Sequence, residues 1–174
     1  RLLLHFDEGK GINVYDKTAW NNSGIFYGGN DGTLYNGSVS CYDDGTLNNG
    51  CPKWVSGKYG KALSFDGVDD YVEISDSPSL DILTGITIVA WINPVDRDDW
   101  EIIVTKSEGA FNSNYHLVYN SLDNFFRFSF WDANGIEHWF DTPMNYPPNE
   151  WYFIVATYDG HEVKIFVNDQ LAVK

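Results

Sequence analysis

The chain has 174 residues, enough to bury a sizeable core, and 25 acidic against 11 basic side chains leave it at a formal charge of −14. Such a charge repels phosphate backbones and anionic lipid, which argues against nucleic acid as a partner, and no run approaches the roughly 18–20 apolar residues of a membrane span. Aromatic side chains reach 17% while no stretch keeps a 3.6-residue apolar period, so the pattern points to an all-β chain with little helix.

From the start, RLLLHF reads as a strand ended by Asp7-Glu8-Gly9. Arg1 followed directly by Leu2-Leu3-Leu4 reads as the start of a segment behind a removed leader or inside a longer polypeptide. Ile12 to Asp16 resumes an extended pattern, and Asn21 to Gly24 turns into Ile25-Phe26-Tyr27. Residues 28–53 hold much of the Gly and Asn and both cysteines, which places an inserted loop there. Cys41 and Cys51 bound CYDDGTLNNGC, a run of turn residues, and a disulfide is the natural reading. Closing so short a loop contributes about 2–3 kcal/mol, and such bonds persist outside the cytosol. Metal binding by this pair is poorly supported, because the four histidines are scattered. Sequons at Asn21 and Asn36 agree with secretion.

Beyond this loop, Ala62 to Phe65 and Tyr71 to Ile74 flank Asp66-Gly67-Val68-Asp69-Asp70, which predicts a hairpin because Asp-Gly tolerates positive φ. Further strands are expected at 86–92, 102–106, 115–119, 125–131, 136–141, 151–158 and 162–168. Asp132-Ala133-Asn134-Gly135, Pro147-Pro148-Asn149-Glu150 and Asp159-Gly160 supply turns. Short strands at this spacing describe a single two-sheet antiparallel sandwich over 1–174.

Several pieces in order, HFDEGKG, DKTAWNNSGIFYG, GKYGKALSFDGVDDYVEI, ITIVAWINP and EWYFIVATYDGHEVKIFVND, resemble the laminin-G-like domains of the concanavalin A-like lectin/glucanase superfamily. The resemblance covers nearly the whole chain. It implies a jelly roll of two curved sheets, an extracellular location, frequent calcium binding, and carbohydrate or protein recognition. The chain departs from that family in its long cysteine loop and in having no Gly-x-Ile-Asp-Glu-type closing strand after Asn168. An unclosed sandwich would leave Leu2 to Phe6 with unpaired backbone groups, so the expectation is that a longer polypeptide or a neighbouring subunit supplies the missing strand.

Calcium is the cofactor this reading favours, since hard cations take six to eight oxygens from Asp, carbonyls and water. The resemblance places a site where the opening loop meets the turn after Gly57, with Asp7, Asp16, Asp66, Asp69 and Asp70 as ligands and Gly67 offering a carbonyl. The competing reading is that Asp66 and Asp70 cap a hairpin and Asp16 fixes an Asx-turn. A weaker cation candidate joins Asn112 to Asn114 with Asp96 to Glu101, near where pentraxin-like relatives hold calcium. For sugar, aromatic faces stack on pyranose rings, and the candidates are Trp100, Tyr115, Trp131 and Trp139, with Phe140 beside them; Phe126, Phe128 and Phe130 alternate as a core face, and Trp91 and Trp151 read as packing residues. Glycoside hydrolysis requires two placed carboxylates, and Asp96 to Glu101 only imitates the glucanase Glu-x-Asp-x-x-Glu. The function expected is a noncatalytic, secreted recognition module binding a glycan or a cell-surface protein in adhesion. The alternative is an assembly subunit of a cell-surface appendage, associating with itself or a neighbouring domain through strand exchange.

Overall fold

A computed structural model of the protein describes residues 6, 10, 13–15, 17, 24–28, 39–40, 52–81, 84–97, 99–107 and 113–174. Residues 2–5, Asp7, Asp16, Asn21, Asn36, Cys41 and Cys51 lie outside the described residues, and with them the expected N-terminal strand, both sequons and the disulfide. The chain divides into two compact units, Arg1–Leu80 and Asp81–Lys174. Among the described residues no helix is long and apolar enough to cross a membrane.

In the first unit the strands are β1 (Asn13–Val14), β2 (Gly24–Gly28), β3 (Val39–Ser40), β4 (Lys53–Ser56), β5 (Lys61–Ser64) and β6 (Tyr71–Ile74), followed by a 3₁₀ turn at Pro78–Leu80. β2 pairs antiparallel with β6 and with β1 and β3, and β4 pairs with β5 in a two-stranded sheet. The hairpin expected around Asp66 to Asp70 therefore does not form. β5 turns back on β4 through Gly57 to Gly60, where the Gly57 N–H donates to the Gly60 carbonyl at 3.0 Å and Gly60 takes a φ of 69°. β6 goes to β2 instead, because the acidic link bonds its own backbone and does not hold its two flanks in register.

The second unit contains β7 (Ile86–Ile92), β8 (Trp100–Ser107), β9 (Ser113–Asn120), β10 (Phe125–Trp131), β11 (Glu137–Asp141), β12 (Tyr152–Tyr158), β13 (Val163–Val167) and β14 (Gln170–Val173). They form two four-stranded antiparallel sheets, β11-β10-β9-β8 and β14-β13-β12-β7. Each expected strand from 86 onward is present. β14 is additional: Asn168 and Asp169 both take positive φ, 49° and 66°, in a tight turn that returns the chain onto β13. The first strand after Asn168 is thus present in a segment where the sequence reading placed none.

The sheets pack face to face as a sandwich. One layer contributes Tyr115, Leu117, Tyr119, Phe126, Phe128 and Phe130, the other Ile88, Tyr152, Ile154, Ala156, Val163, Ile165 and Val167, all in one buried cluster. Alternation sends the intervening residues outward, as Phe126, Phe128 and Phe130 predicted. The core tyrosines keep their hydroxyls bonded: Tyr119 donates to Asn124 Oδ1 at 2.9 Å or the Tyr146 carbonyl at 2.8 Å, and Tyr152 donates to the Pro147 carbonyl at 2.8 Å. Burial pushes both phenols up to about 12. Two glycines allow the start of β7 and the β12–β13 turn to touch. A Cβ on Gly85 would lie 2.7 Å from the Tyr158 carbonyl oxygen, and one on Gly160, at φ 94°, 2.9 Å from that of Thr84.

Candidate functional site

Arg127 sits at the centre of the outward face of β8–β11. β10 alternates Phe126, Phe128 and Phe130 inward, so Phe125, Arg127, Ser129 and Trp131 face out. Register then fixes the neighbours: Arg127 is opposite Asp141 on β11 and Val118 on β9, Ser129 is opposite Trp139 and His116, and Asn120 links Phe125 to Trp100 on β8. Arg127 donates a two-pronged pair to Asp141, Nε to Oδ1 at 2.6 Å and Nη2 to Oδ2 at 2.7 Å.

The guanidinium also collects aromatics. Its carbon lies 4.6 Å from the Trp100 ring centre, 4.8 Å from that of Trp139 and 5.8 Å from that of Phe125. The two indole centres are therefore within roughly 10 Å of each other, although three strand spacings put about 14 Å between their strands. Both side chains lean inward over the guanidinium. Trp100 stays 42% exposed and Trp139 57% exposed, and Ile102 beside them is 65% exposed. Trp100 is held from behind by Asp99, whose Oδ1 accepts the Trp100 N–H at 2.7 Å and whose own N–H donates to Ser121 Oγ at 3.0 Å. At the far side, His116 meets Trp131 edge-on at 4.9 Å and Thr105 Oγ1 at 2.8 Å; burial keeps its imidazole below the ordinary 6.5, and Glu137 works weakly against this.

Of the four aromatics expected to meet ligand, Trp100, Trp131 and Trp139 share this face. Tyr115 points the other way, into the sandwich core, at 8% exposure. Phe140 also packs on the core side. Trp91, read as a packing residue, lies on the outward face of β7, tilted against Phe153 with ring centres 5.1 Å apart. The sequence reading missed Arg127 and Asp141. The signal was a single cation inside a phenylalanine-rich strand, and counting register back from the Asp132–Ile136 turn pairs it with Asp141.

In the first unit, the expected calcium ligands Asp66, Asp69 and Asp70 bring carboxylate oxygens within 4.8 Å of one another. Asp66 Oδ1 accepts from the Val68 N–H at 2.9 Å and the Asp69 N–H at 3.4 Å, an Asx-turn, and the Asp66 N–H donates to Asp70 Oδ2 at 2.8 Å. Gly67 occupies the turn at φ 75°. The other oxygen, Asp70 Oδ1, is buried with no hydrogen-bond partner among the described residues. Burial raises the Asp70 carboxyl above its ordinary 3.8, the Asp66 N–H opposes this, and the charges of Asp66 and Asp69 add to the rise. Three clustered carboxylates, one with an orphaned oxygen, fit a hard cation.

Within Asp96 to Glu101, β8 begins only at Trp100, so Glu101 is the one carboxylate of the run on a strand. It stands opposite inward-facing Tyr119, with Oε1 buried and without a hydrogen-bond partner among the described residues, and burial raises its pKa. A cavity of about 460 Å³ opens near the β10–β11 and β12–β13 turns over Phe130 and Tyr158. Polar groups at its rim are engaged with one another: His138 with Asp132 at 3.2 Å and Lys174 with Glu162 at 3.1 Å.

Residues 66–173 match the Laminin_G_3 family, described as the concanavalin A-like lectin/glucanases superfamily. The chain belongs to this laminin-G-like family. No curated protein matches it. Laminin-G-like domains are carbohydrate- or protein-binding modules, typically noncatalytic and commonly extracellular. The all-β fold, with its antiparallel sandwich over Asp81–Lys174, agrees with that membership.

Proposed function

We propose that this laminin-G-like chain is a noncatalytic, secreted recognition module that holds a carbohydrate in adhesion on the outward face of β8–β11. The observation that carries the reading is the convergence of Trp100 and Trp139 on one guanidinium. Arg127 lies over both indoles and Phe125 meets Trp100 edge-on at 5.6 Å, yet Trp100 stays 42% and Trp139 57% exposed, and a fixed, exposed aromatic surface is what a pyranose ring stacks against. Trp131 extends the surface, and Asp141 holds Arg127 and hence both rings. Calcium at Asp66, Asp69, Asp70 and the Gly67 carbonyl stiffens the turn of the first unit; when bound, it supplies charge neutralisation and coordination, with no part in chemistry on the ligand.

Binding of the full chain to a glycan array and to cells tests this. Signal should fall at least about tenfold for Trp139→Ala and Trp100→Ala, the loss of one stacked ring each. Cell binding removed by glycosidases and spared by proteases supports a glycan; the reverse assigns a protein partner. Array and cell signals untouched by both substitutions reject the platform.

A second reading, an assembly subunit, is favoured by the opposite sheet. Its outward face carries Val89, Trp91, Phe153, Val155, Phe166 and Leu171 in adjacent register, with Val89, Trp91 and Leu171 exposed. Sedimentation of the native protein distinguishes the readings: a concentration-dependent oligomer dissolved by Trp91→Ser supports assembly, and a monomer throughout removes it.

A further inference from the structure

We infer that the Trp100–Trp139 platform selects uncharged polyhydroxy chains and rejects sulfated and uronate chains, with the Asp141–Arg127 pair as the guard. The inference rests on the carbohydrate reading above. An anionic glycan is normally held by cationic side chains whose donors are available to it. Arg127 is the only lysine or arginine at an outward register position of β8–β11 among the described residues. Its Nε–Nη2 edge is taken by Asp141 through two short bonds, and its central carbon lies over both indole rings.

The surroundings add negative charge. Glu137 and Asp141 both occupy outward positions on β11, and both act on the guanidinium. Of the nearby cations, Lys106 reaches Asp81 at 3.1 Å and Arg97, three residues before Trp100, acts on Glu101, while Lys164 and Lys174 belong to the other sheet and both engage Glu162. The chain as a whole stands at −14. A sulfate laid on this face would approach two carboxylates beside a single guanidinium whose Nε–Nη2 edge is taken by Asp141, and like charges brought together disfavour binding. An uncharged sugar meets none of this repulsion. It presents an apolar ring face to the indoles and hydroxyls to Thr105 or the rim carboxylates.

The test compares chains that differ only in charge: laminarin, dextran and hydroxyethylcellulose, each beside its sulfated derivative, titrated against the full chain by tryptophan fluorescence. The expected result is that at least one neutral chain binds, loses at least about tenfold with Trp139→Ala, and exceeds its sulfated derivative by at least about tenfold, the gap widening at low salt. A sulfated chain that binds as tightly as its parent, and is still lost with Trp139→Ala, overturns the selectivity and leaves the platform standing. Failure of every chain to bind overturns both. Asp141→Asn removes one of the two carboxylate charges beside the arginine and should narrow the gap between each pair; a folded Asp141→Asn protein with the wild-type gap removes the guard role. Should that variant not fold, the wild-type comparison decides the matter alone.

Discussion

Replacing Arg127 with Met tests whether one guanidinium holds the platform together. Both partners of the ion pair are only about a quarter exposed, 27% for Arg127 and 28% for Asp141, so the pair contributes roughly 1 kcal/mol once screening is allowed for. The stacks on Trp100 and Trp139 at 4.6 and 4.8 Å add about 0.5–1 kcal/mol each. Met keeps the apolar stem, so its packing is retained, and the loss comes to about 2–3 kcal/mol. For a chain of this length that is a fall of roughly 4–12 °C in Tm. Near-ultraviolet circular dichroism follows both indoles during melting, and a cycle with Asp141→Ala isolates the ion pair. Arg127→Lys should recover little, because an ammonium has neither the fork nor the flat face. A change below about 0.5 kcal/mol for Arg127→Met, with an unaltered tryptophan signal, would refute the idea that the guanidinium organises the rings.

Other perturbations follow from the same geometry. Because the native Asp70 carboxyl is raised above 3.8, its cost to stability is absent below that pH and complete once pH exceeds the raised native value. Asp70→Asn should therefore stabilise the calcium-free protein at neutral pH and abolish the gain of about 2.7 kcal/mol expected at a hundredfold excess of calcium over Kd, both measured by thermal melts with calcium or chelator; a calcium-induced shift that survives the substitution sinks the site. The native His116 value lies below 6.5, so the unfolded chain binds the proton first as pH falls through that window, and stability drops there. His116→Gln should flatten this part of the Tm-against-pH curve, and an unchanged slope assigns it to other groups. Gly85→Ala places a Cβ against the Tyr158 carbonyl at 2.7 Å and should cost about 1–3 kcal/mol by chemical denaturation, whereas a neutral effect means the β7 entry shifts freely.

Much of the second unit was legible because its signals are local. Alternation in FFRFSFW marks the inward phenylalanines, and turn residues at Asp132 to Gly135 and Asp159-Gly160 mark the reversals. β14 was missed because Asn168-Asp169 reads as an ending unless both residues adopt left-handed φ, which short polar side chains tolerate. The hairpin expected around Asp66 to Asp70 failed for a different reason. Equal alternation on its two flanks is a statement about faces, and it does not say which strand will be the partner. Trp54-Val55 on β4 and Ile25-Phe26 on β2 supplied those partners from a distance.

The same division runs through the candidate site. The amino-acid sequence by itself determined the all-β class, the acidic balance, the laminin-G-like resemblance and the alternation that turns Trp131 outward, since composition and period-two patterning are properties of short stretches of chain. Only tertiary structure decided that Tyr115 faces inward while Trp100 and Trp139, three strands apart, lean onto Arg127. It also decided that Asp141 closes the fork of that arginine. Cross-strand neighbours are set by register and by side-chain packing over several strands, and no single stretch of sequence contains that information.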